Sequence, residues 1–156
     1  HYGIICECWL LHHLLLCARR QGSLAEFVAA EEQIFAKKPA ALSFEEAAAY
    51  PLSGVTSYQA LTNFMNIKDK RLLVLGGSGG TGTFAIQIAK LLGAKFVATT
   101  SSNEELCKQL GADLVINHRE QQWYDKDVLR SLGDLDMIYD TVSSSAQSRC
   151  LPLKGV

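Results

Sequence analysis

The feature that most constrains the fold is a glycine-rich turn that directly follows a short apolar run. The run is Leu72 to Leu75, and the turn reads Gly77-Ser78-Gly79-Gly80-Thr81-Gly82. The turn fits the spacing G-x-G-x-x-G, with Gly77, Gly79 and Gly82 in the three glycine positions. Apolar side chains then recur at helical spacing from Phe84 to Leu92, and Gly93 stands where a helix would end. Strand, glycine turn and helix therefore come in the order that a dinucleotide pyrophosphate requires.

Each glycine of such a turn has its own role. The first allows the tight turn, the second lets the phosphates approach the backbone, and the third lets helix and strand pack closely. A P-loop is excluded, because Thr83 stands where that motif requires lysine. Glycine-rich turns also occur as plain loops, but further strands at Lys95 to Thr100 and Asp113 to Ile116 favour a dinucleotide turn.

The rest of the chain continues this alternation of strands and helices. A polar stretch containing Trp123 and Tyr124 is typical of a helix, and a fourth strand is predicted from Leu135 to Tyr139. Strands that alternate with helices predict an α/β fold with a doubly wound parallel sheet. Ligands of such a sheet bind at the carboxyl ends of its strands.

Before the glycine turn, the sequence predicts strands and then helices. Strands are expected at Leu24 to Ala30 and at Ile34-Phe35. Ser43-Phe44-Glu45-Glu46 is a capping box that starts an alanine-rich helix, which we expect to end near Pro51. A second helix is predicted from Val55 to Phe64.

Composition excludes several classes of protein. The chain has 156 residues and a net charge of −1, without a basic face for nucleic acid, so we expect no nucleic-acid partner. The apolar stretch from Ile4 to Ala18 is shorter than the roughly 20 residues of a membrane span, so we expect no membrane partner.

Cysteine usage indicates a reducing compartment. The five cysteines are odd in number and irregularly spaced, which argues against a disulfide framework and predicts a cytoplasmic location. The N-terminal cysteines and histidines match no structural zinc spacing, and we expect no metal; these residues are Cys6, Cys8, His12, His13 and Cys17.

A family resemblance rests on three blocks of sequence. They are Leu42 to Leu61, the glycine turn, and Leu110-Gly111-Ala112-Asp113. Together they resemble the medium-chain dehydrogenase/reductase superfamily, in its zinc-free quinone oxidoreductase (zeta-crystallin-like) branch. Gly22 to Ala30 also resembles the end of the GroES-like β-barrel domain of that family.

The resemblance implies a division of the chain. Residues 1–21 match nothing in the family and stay unassigned, as either a barrel strand or sequence foreign to the fold. Residues 22–54 would be a remnant of the GroES-like catalytic domain with its connecting helix. Residues 55–156 would form an NAD(P)-binding Rossmann domain that is truncated at its C-terminal end. The chain starts at His1 and stops in mid-pattern, so we interpret it as a fragment.

The function that the resemblance implies is zinc-independent hydride transfer from NADPH to a quinone or other α,β-unsaturated carbonyl. The full-length relative would be a homo-oligomer, and the fragment itself would be inactive or weakly active. A second interpretation is a dinucleotide-binding module that has lost catalysis and has a structural or regulatory role. A zinc alcohol dehydrogenase would share the nucleotide domain, but its metal ligands belong to the barrel.

The resemblance also implies a set of cofactor contacts, although it identifies no catalytic residue. Ser78, Gly79, Gly80 and Thr81 correspond to the stretch that binds the pyrophosphate. Thr56 and Tyr58 would lie near the nicotinamide, and each could equally be a packed interfacial residue. The other residues, each of which could also belong to a plain solvent loop, are Ser143 and Ser144 after the fourth strand and His118 beside the adenosine phosphate.

The tip of the second strand bears on the choice of cofactor. An NAD site requires an acidic residue there, about 20 residues beyond the turn, to bind the ribose hydroxyls. This chain has Thr100, Ser101 and Ser102 instead, which favours NADPH and leaves NADH possible. The basic residue that many relatives place just after this tip is replaced by Asn103, which Glu104 and Glu105 follow. These two carboxylates are expected to cap against Ser101 and Ser102.

Overall fold

The computed structural model describes residues 35–142 of the chain. The chain divides into two compact units, residues 1–56 and 57–156, and each is described by itself. The strand predicted at Leu24 to Ala30 lies outside the described residues, as does Ile34, while Phe35 takes part in an isolated β-bridge. The assignment of residues 22–54 to a barrel remnant therefore stays a prediction. Within the described range, no helix has the length and apolar character to cross a membrane.

The first helix, α1, spans Phe44–Ala49 and begins at the predicted capping box. The Ser43 hydroxyl accepts a hydrogen bond from the Glu46 N–H at 3.1 Å. The Glu46 carboxylate accepts one from the Ser43 N–H at 2.8 Å. These reciprocal bonds satisfy two of the amides that the start of a helix leaves without partners, so the prediction of the helix start is confirmed.

The prediction that this helix ends near Pro51 is confirmed for the α-helix, which ends at Ala49, but the helical segment that follows was not predicted. A π-helical segment, Tyr50–Gly54, follows α1 directly, and helix α2 then spans Val55–Asn63. Pro51 lies at the start of the π-helical segment. Proline is tolerated in a first helical turn, where its missing N–H has no partner to lose. The backbone therefore stays helical through a residue that the sequence pattern treats as a stop.

The second unit contains a four-stranded parallel sheet in the order β3-β2-β1-β4. The strands are β1 at Arg71–Leu75, β2 at Phe96–Thr100, β3 at Leu114–Ile116 and β4 at Met137–Asp140. Leu75, the last residue of β1, pairs with Thr100 on one side and with Asp140 on the other. The carboxyl ends of the strands thus meet at one edge, and the predicted α/β parallel sheet is confirmed.

Both faces of the sheet are covered, as a doubly wound fold requires. Leu72 and Val74 of β1 face one core cluster, in which they pack with residues of α2 and of helix α3, Gly80–Leu91. Leu73 and Leu75 face the opposite cluster, which helix α5, Lys126–Leu132, covers. A shorter helix, α4, spans Glu104–Gln109 and buries Cys107 in the first cluster.

The helix predicted around Trp123 and Tyr124 begins later than expected. Both aromatic residues lie in the turn before α5, which starts at Lys126. The Trp123 side chain is buried in the second core cluster, and its ring meets that of Tyr124 edge to face, with centroids 5.6 Å apart. Burial of the indole ring, rather than helical periodicity, explains why apolar side chains occur in this polar stretch.

The fourth strand begins two residues later than its predicted start at Leu135. The Asp136 carboxylate accepts hydrogen bonds from the Arg71 N–H and from Lys70 Nζ, both at 2.9 Å. It therefore occupies the first amide of β1, and strand pairing starts only at Met137. The bond from the Arg71 amide, followed by the one from Lys70, lowers the pKa of the Asp136 carboxyl.

Candidate dinucleotide-binding site

The glycine turn connects the carboxyl end of β1 to α3 and is tied to the tip of β2. The Gly77 N–H donates to the Thr100 carbonyl at 2.9 Å. The Gly76 N–H donates to the Thr100 hydroxyl, also at 2.9 Å. The Gly79 N–H closes the turn by donating to the Gly76 carbonyl at 3.0 Å. The turn is therefore held in place by the neighbouring strand before any ligand binds.

Two of the three motif glycines are required by packing. A Cβ on Gly77 would overlap the buried Thr99 side chain. A Cβ on Gly82 would overlap the Gly76 carbonyl, so the start of α3 approaches the end of β1 as closely as the third motif glycine predicts.

Gly79 differs from both. Its backbone is extended, with φ −77° and ψ 165°, and it is exposed. A Cβ there would meet only the Gly76 carbonyl, at 3.3 Å. This contact is tight but far less severe than those at Gly77 and Gly82, so the fold restricts this position less than the other two motif positions.

The tight turn itself is made by a glycine that the motif does not include. Gly76 has φ +83°, in the left-handed region that favours glycine. The prediction that the first motif glycine, Gly77, makes the tight turn is therefore wrong. The signal in the sequence was the additional glycine Gly76, which directly follows the strand and precedes the first motif glycine.

Threonines at the strand ends satisfy the last carbonyls of β1. The Thr99 hydroxyl donates to the Val74 carbonyl at 2.7 Å, and the Thr141 hydroxyl donates to the Leu75 carbonyl at 2.6 Å. Sequence reasoning placed Thr99 and Thr141 near the strand ends but did not predict these hydrogen bonds, because a threonine in or beside a strand is usually explained by strand propensity alone.

The first amides of α3 have no side-chain cap. Gly79 is its N-cap residue and offers no acceptor, and the first turn contains no acidic residue. The first N–H groups of a helix have no partner within the helix, and its dipole attracts an anion. Ser78, Gly79 and Gly80 are exposed here, and Thr81 is half-buried. These four predicted residues thus lie together at an open helix N-terminus, which fits a pyrophosphate.

A buried serine is hydrogen-bonded to the first turn of this helix. The Ser57 side chain has no exposed surface, and its hydroxyl donates to the Thr81 carbonyl at 2.9 Å. Tyr139 of β4 interacts with the same serine. Burial raises the pKa of the Tyr139 phenol, and the hydrogen bond with Ser57 lowers it in part. Sequence reasoning singled out the residues on either side of Ser57 and missed the one that contacts the turn.

Those two neighbours do not share its environment. Tyr58 is 53% exposed. Thr56 is also exposed and belongs to the first unit of the chain. Their predicted place near a nicotinamide stays a prediction.

At the tip of β2, two of the three predicted hydroxyls are already used within the protein. Thr100 accepts the Gly76 N–H, as described above. Ser101 is buried, and its hydroxyl accepts the Asn103 N–H at 2.9 Å. Ser102 is exposed. The expectation that Glu104 and Glu105 cap against the serines is wrong, because the Asn103 side chain caps α4 by accepting the Leu106 N–H at 3.2 Å.

Of the remaining predicted contact residues, His118 belongs to the described part of the chain. His118 is exposed on the turn after β3. Ser143 and Ser144 lie outside the described residues. Asp140, the last residue of β4, accepts the Val142 N–H on its carboxylate at 2.9 Å. Among residues 35–142, no group of three or more histidine, cysteine or acidic side chains is arranged to hold a metal ion.

Comparison with known proteins identifies the family of this chain. Residues 80–153 match the model of a family described as zinc-binding dehydrogenase. The chain is 44% identical over 143 residues to a 2-methylene-furan-3-one reductase of Solanum lycopersicum, covering 88% of this chain and 35% of that protein. The chain belongs to the medium-chain dehydrogenase/reductase superfamily.

Two further proteins are also similar to this chain. The chain is 40% identical to the mitochondrial NAD(P)H oxidoreductase RTN4IP1 of Danio rerio, over 86% of this chain and 36% of that protein. The quinone oxidoreductase of Thermus thermophilus, solved alone and with NADPH, superposes with a TM-score of 0.70 at 31% identity. That match covers 85% of this chain and 44% of the solved one. The chain thus spans about a third of the length of these two curated relatives.

Proposed function

We propose that this chain carries the cofactor-binding part of an oxidoreductase that reduces a quinone or another α,β-unsaturated carbonyl with NADPH. The observation that carries the proposal is the open N-terminus of α3. The first amides of α3 have no side-chain cap, and its N-cap residue Gly79 is the motif glycine that packing restricts least. A dinucleotide pyrophosphate is a ligand that this combination fits.

In this proposal, Ser78, Gly79, Gly80 and Thr81 bind the pyrophosphate. The amides of the first turn of α3 donate to its oxygens, and the helix dipole favours its negative charge. The missing Cβ of Gly79 lets the phosphates approach the backbone. The bound nicotinamide supplies the hydride, and the protein supplies orientation and shielding from water. Thr56, Tyr58, His118, Ser143 and Ser144 are the further contacts that the family resemblance assigns.

The preference for NADPH rests on charge at the tip of β2. A carboxylate at this tip would bind ribose hydroxyls in an NAD site and would repel a 2′-phosphate. Neither Thr100, Ser101 nor Ser102 carries a charge, and the exposed Ser102 hydroxyl is free to approach the ribose. A quinone oxidoreductase solved with NADPH supports this choice, whereas the relative named NAD(P)H oxidoreductase is compatible with either cofactor.

The class of acceptor is proposed from two relatives. One is named for the reduction of a 2-methylene-furan-3-one, which is an α,β-unsaturated ketone. The other is a quinone oxidoreductase. Both substrates contain a carbonyl conjugated to a carbon–carbon double bond, which is an acceptor for hydride.

Zinc independence, a cytoplasmic location and a homo-oligomeric full-length protein complete the proposal. Zinc independence follows from the resemblance to the zeta-crystallin-like branch, although the matching family model is described as zinc-binding. The location follows from cysteine usage.

The test is calorimetric titration of the full chain with NADPH and NADH at the same salt concentration, together with elemental analysis. We expect both cofactors to bind and NADPH to bind more tightly, with no stoichiometric zinc. Tighter binding of NADH would overturn the cofactor assignment. Stoichiometric zinc that chelation removes together with activity would overturn zinc independence. Binding of NADPH without reduction of simple quinones or enones by any longer form of the protein would favour a non-catalytic module.

A further inference from the structure

We propose that Arg119, on the turn after β3, makes this chain select NADPH over NADH by binding the 2′-phosphate from the neighbouring strand. The inference rests on the proposed function and deepens it, since it assigns to one residue the charge that NADPH requires. The sequence pattern places that charge on the β2 tip itself, where this chain has none.

The β2 tip cannot neutralise a phosphate monoester by itself. Such a group carries a charge of about −1.5 to −2 at neutral pH. The hydroxyls of Thr100 and Ser101 are used within the protein, and the Asn103 side chain caps α4. The first charged residues after the tip are Glu104 and Glu105, which are acidic. A cation has to come from another element.

Strand pairing places the turn after β3 beside this tip. Thr100 pairs with Ile116 in the parallel ladder, and the Ser101 N–H donates to the Ile116 carbonyl at 3.0 Å. Neighbouring strands lie about 4.8 Å apart. Residues 117–120, which leave β3 immediately after Ile116, therefore lie next to residues 101–103 at the same edge of the sheet.

The acidic side chain of this turn, Glu120, is hydrogen-bonded within the turn itself. The Glu120 carboxylate accepts from the Asn117 side-chain amide at 2.7 Å. The Asn117 side-chain oxygen accepts the Arg119 N–H at 3.1 Å, and the Glu120 N–H donates to the Asn117 carbonyl at 3.0 Å. These bonds hold the backbone of Arg119 in position and leave its guanidinium outside the turn's own hydrogen bonds.

Arg119 belongs to no ion pair between described residues, as is also true of Lys68, Lys95 and Lys126, but it is the cation that lies on the turn beside the β2 tip. Lys108 pairs with Glu104, Lys90 with Asp113, and Arg130 with Asp127. Arg119 is exposed. A planar guanidinium can donate two parallel hydrogen bonds to a phosphate, which makes arginine suited to this group.

The experiment compares NADPH and NADH binding to the full chain and to four variants at the same salt concentration: Arg119→Ala, Arg119→Lys, His118→Ala and Arg130→Ala. Arg119→Ala is expected to weaken NADPH binding by roughly tenfold to a hundredfold, as the loss of charge-assisted hydrogen bonds implies. Binding of NADH should stay within about twofold, because it has no 2′-phosphate. Arg119→Lys keeps the charge without the paired donors, so its affinity for NADPH should lie between those of the unaltered chain and Arg119→Ala. Arg130→Ala removes the same charge from an exposed ion pair and should change neither affinity.

Several results would overturn the inference. An equal loss of both cofactors in Arg119→Ala would show a structural role, and an unchanged preference would show no role. Loss of the preference in His118→Ala but not in Arg119→Ala would assign it to the histidine. If the unaltered chain binds both cofactors equally, this inference fails while nicotinamide binding stands. If it binds neither, the proposed function fails as well.

Discussion

Helices α3 and α4 both follow a buried strand of the parallel sheet, but their N-termini are built in opposite ways. Helix α4 is capped by the Asn103 side chain and has Glu104 and Glu105 in its first turn. Helix α3 begins at Gly79, with no side-chain cap and no acid in its first turn. The amides and dipole of α4 are thus compensated by side chains of the chain, whereas the start of α3 has neither a side-chain cap nor an acidic residue in its first turn.

The two helix starts also differ in what holds them in place. Helix α4 depends on local hydrogen bonds among residues 101–106. Helix α3 is held by tertiary contacts, through the hydrogen bond from Ser57 to Thr81 and the close packing of Gly82 on Gly76. A helix start without a side-chain cap can thus be held in place by the strands and helices around it.

The largest effect is expected for Gly79→Val, which should abolish binding of NADPH. The valine side chain would occupy the space that the phosphates need. The fold should survive, because the backbone of Gly79 is extended and a Cβ there would meet one atom, the Gly76 carbonyl oxygen, at 3.3 Å, a contact that a small shift relieves. Titration calorimetry measures the binding, and thermal unfolding measures the stability.

Normal binding by this variant would show that the open end of α3 is not the pyrophosphate site. A variant that fails to fold would show instead that the fold requires Gly79, which contradicts the distinction drawn between it and Gly82.

Gly82→Ala should lower the free energy of unfolding by about 1–3 kcal/mol, the usual cost of overpacking. The new methyl group would overlap the Gly76 carbonyl and force the start of α3 away from β1. Helix propensity alone predicts the opposite sign, since alanine is favoured over glycine by about 1 kcal/mol. Chemical denaturation measures the difference, with Gly80→Ala at an exposed position of the same turn as the control. Equal stabilisation by both substitutions would mean that the close contact at Gly82 does not restrict the chain.

The smallest effect is expected for Asn103→Ala, which removes the cap of α4. The free energy of unfolding should fall by about 1 kcal/mol, the typical cost of losing such a cap. Affinity for NADPH should not change, because this side chain serves α4 alone. A clear loss of affinity in a variant of unchanged stability would place Asn103 in the cofactor site and remove the contrast between the two helices.

Much of the fold was predictable because local patterns and packing agree. The apolar run before the glycines became β1, and the capping box at Ser43 started α1 as expected. The predictions failed where a tertiary contact decided the outcome. Trp123 lies before its helix because its ring is buried in the core, and β4 starts late because the Asp136 carboxylate binds the first amide of β1.

By itself, the sequence determined the alternation of strands and helices, the place of the glycine turn and the family resemblance. These features follow from periodicity and spacing along the chain. Only the tertiary structure decided which residues of the candidate site are free to bind. Thr100 and Ser101 have the same hydroxyl as Ser102, yet one accepts the Gly76 amide and the other the Asn103 amide. A hydroxyl has few bonding positions, and the backbone amides that the folded chain places beside it, not its residue type, determine whether the protein already fills them.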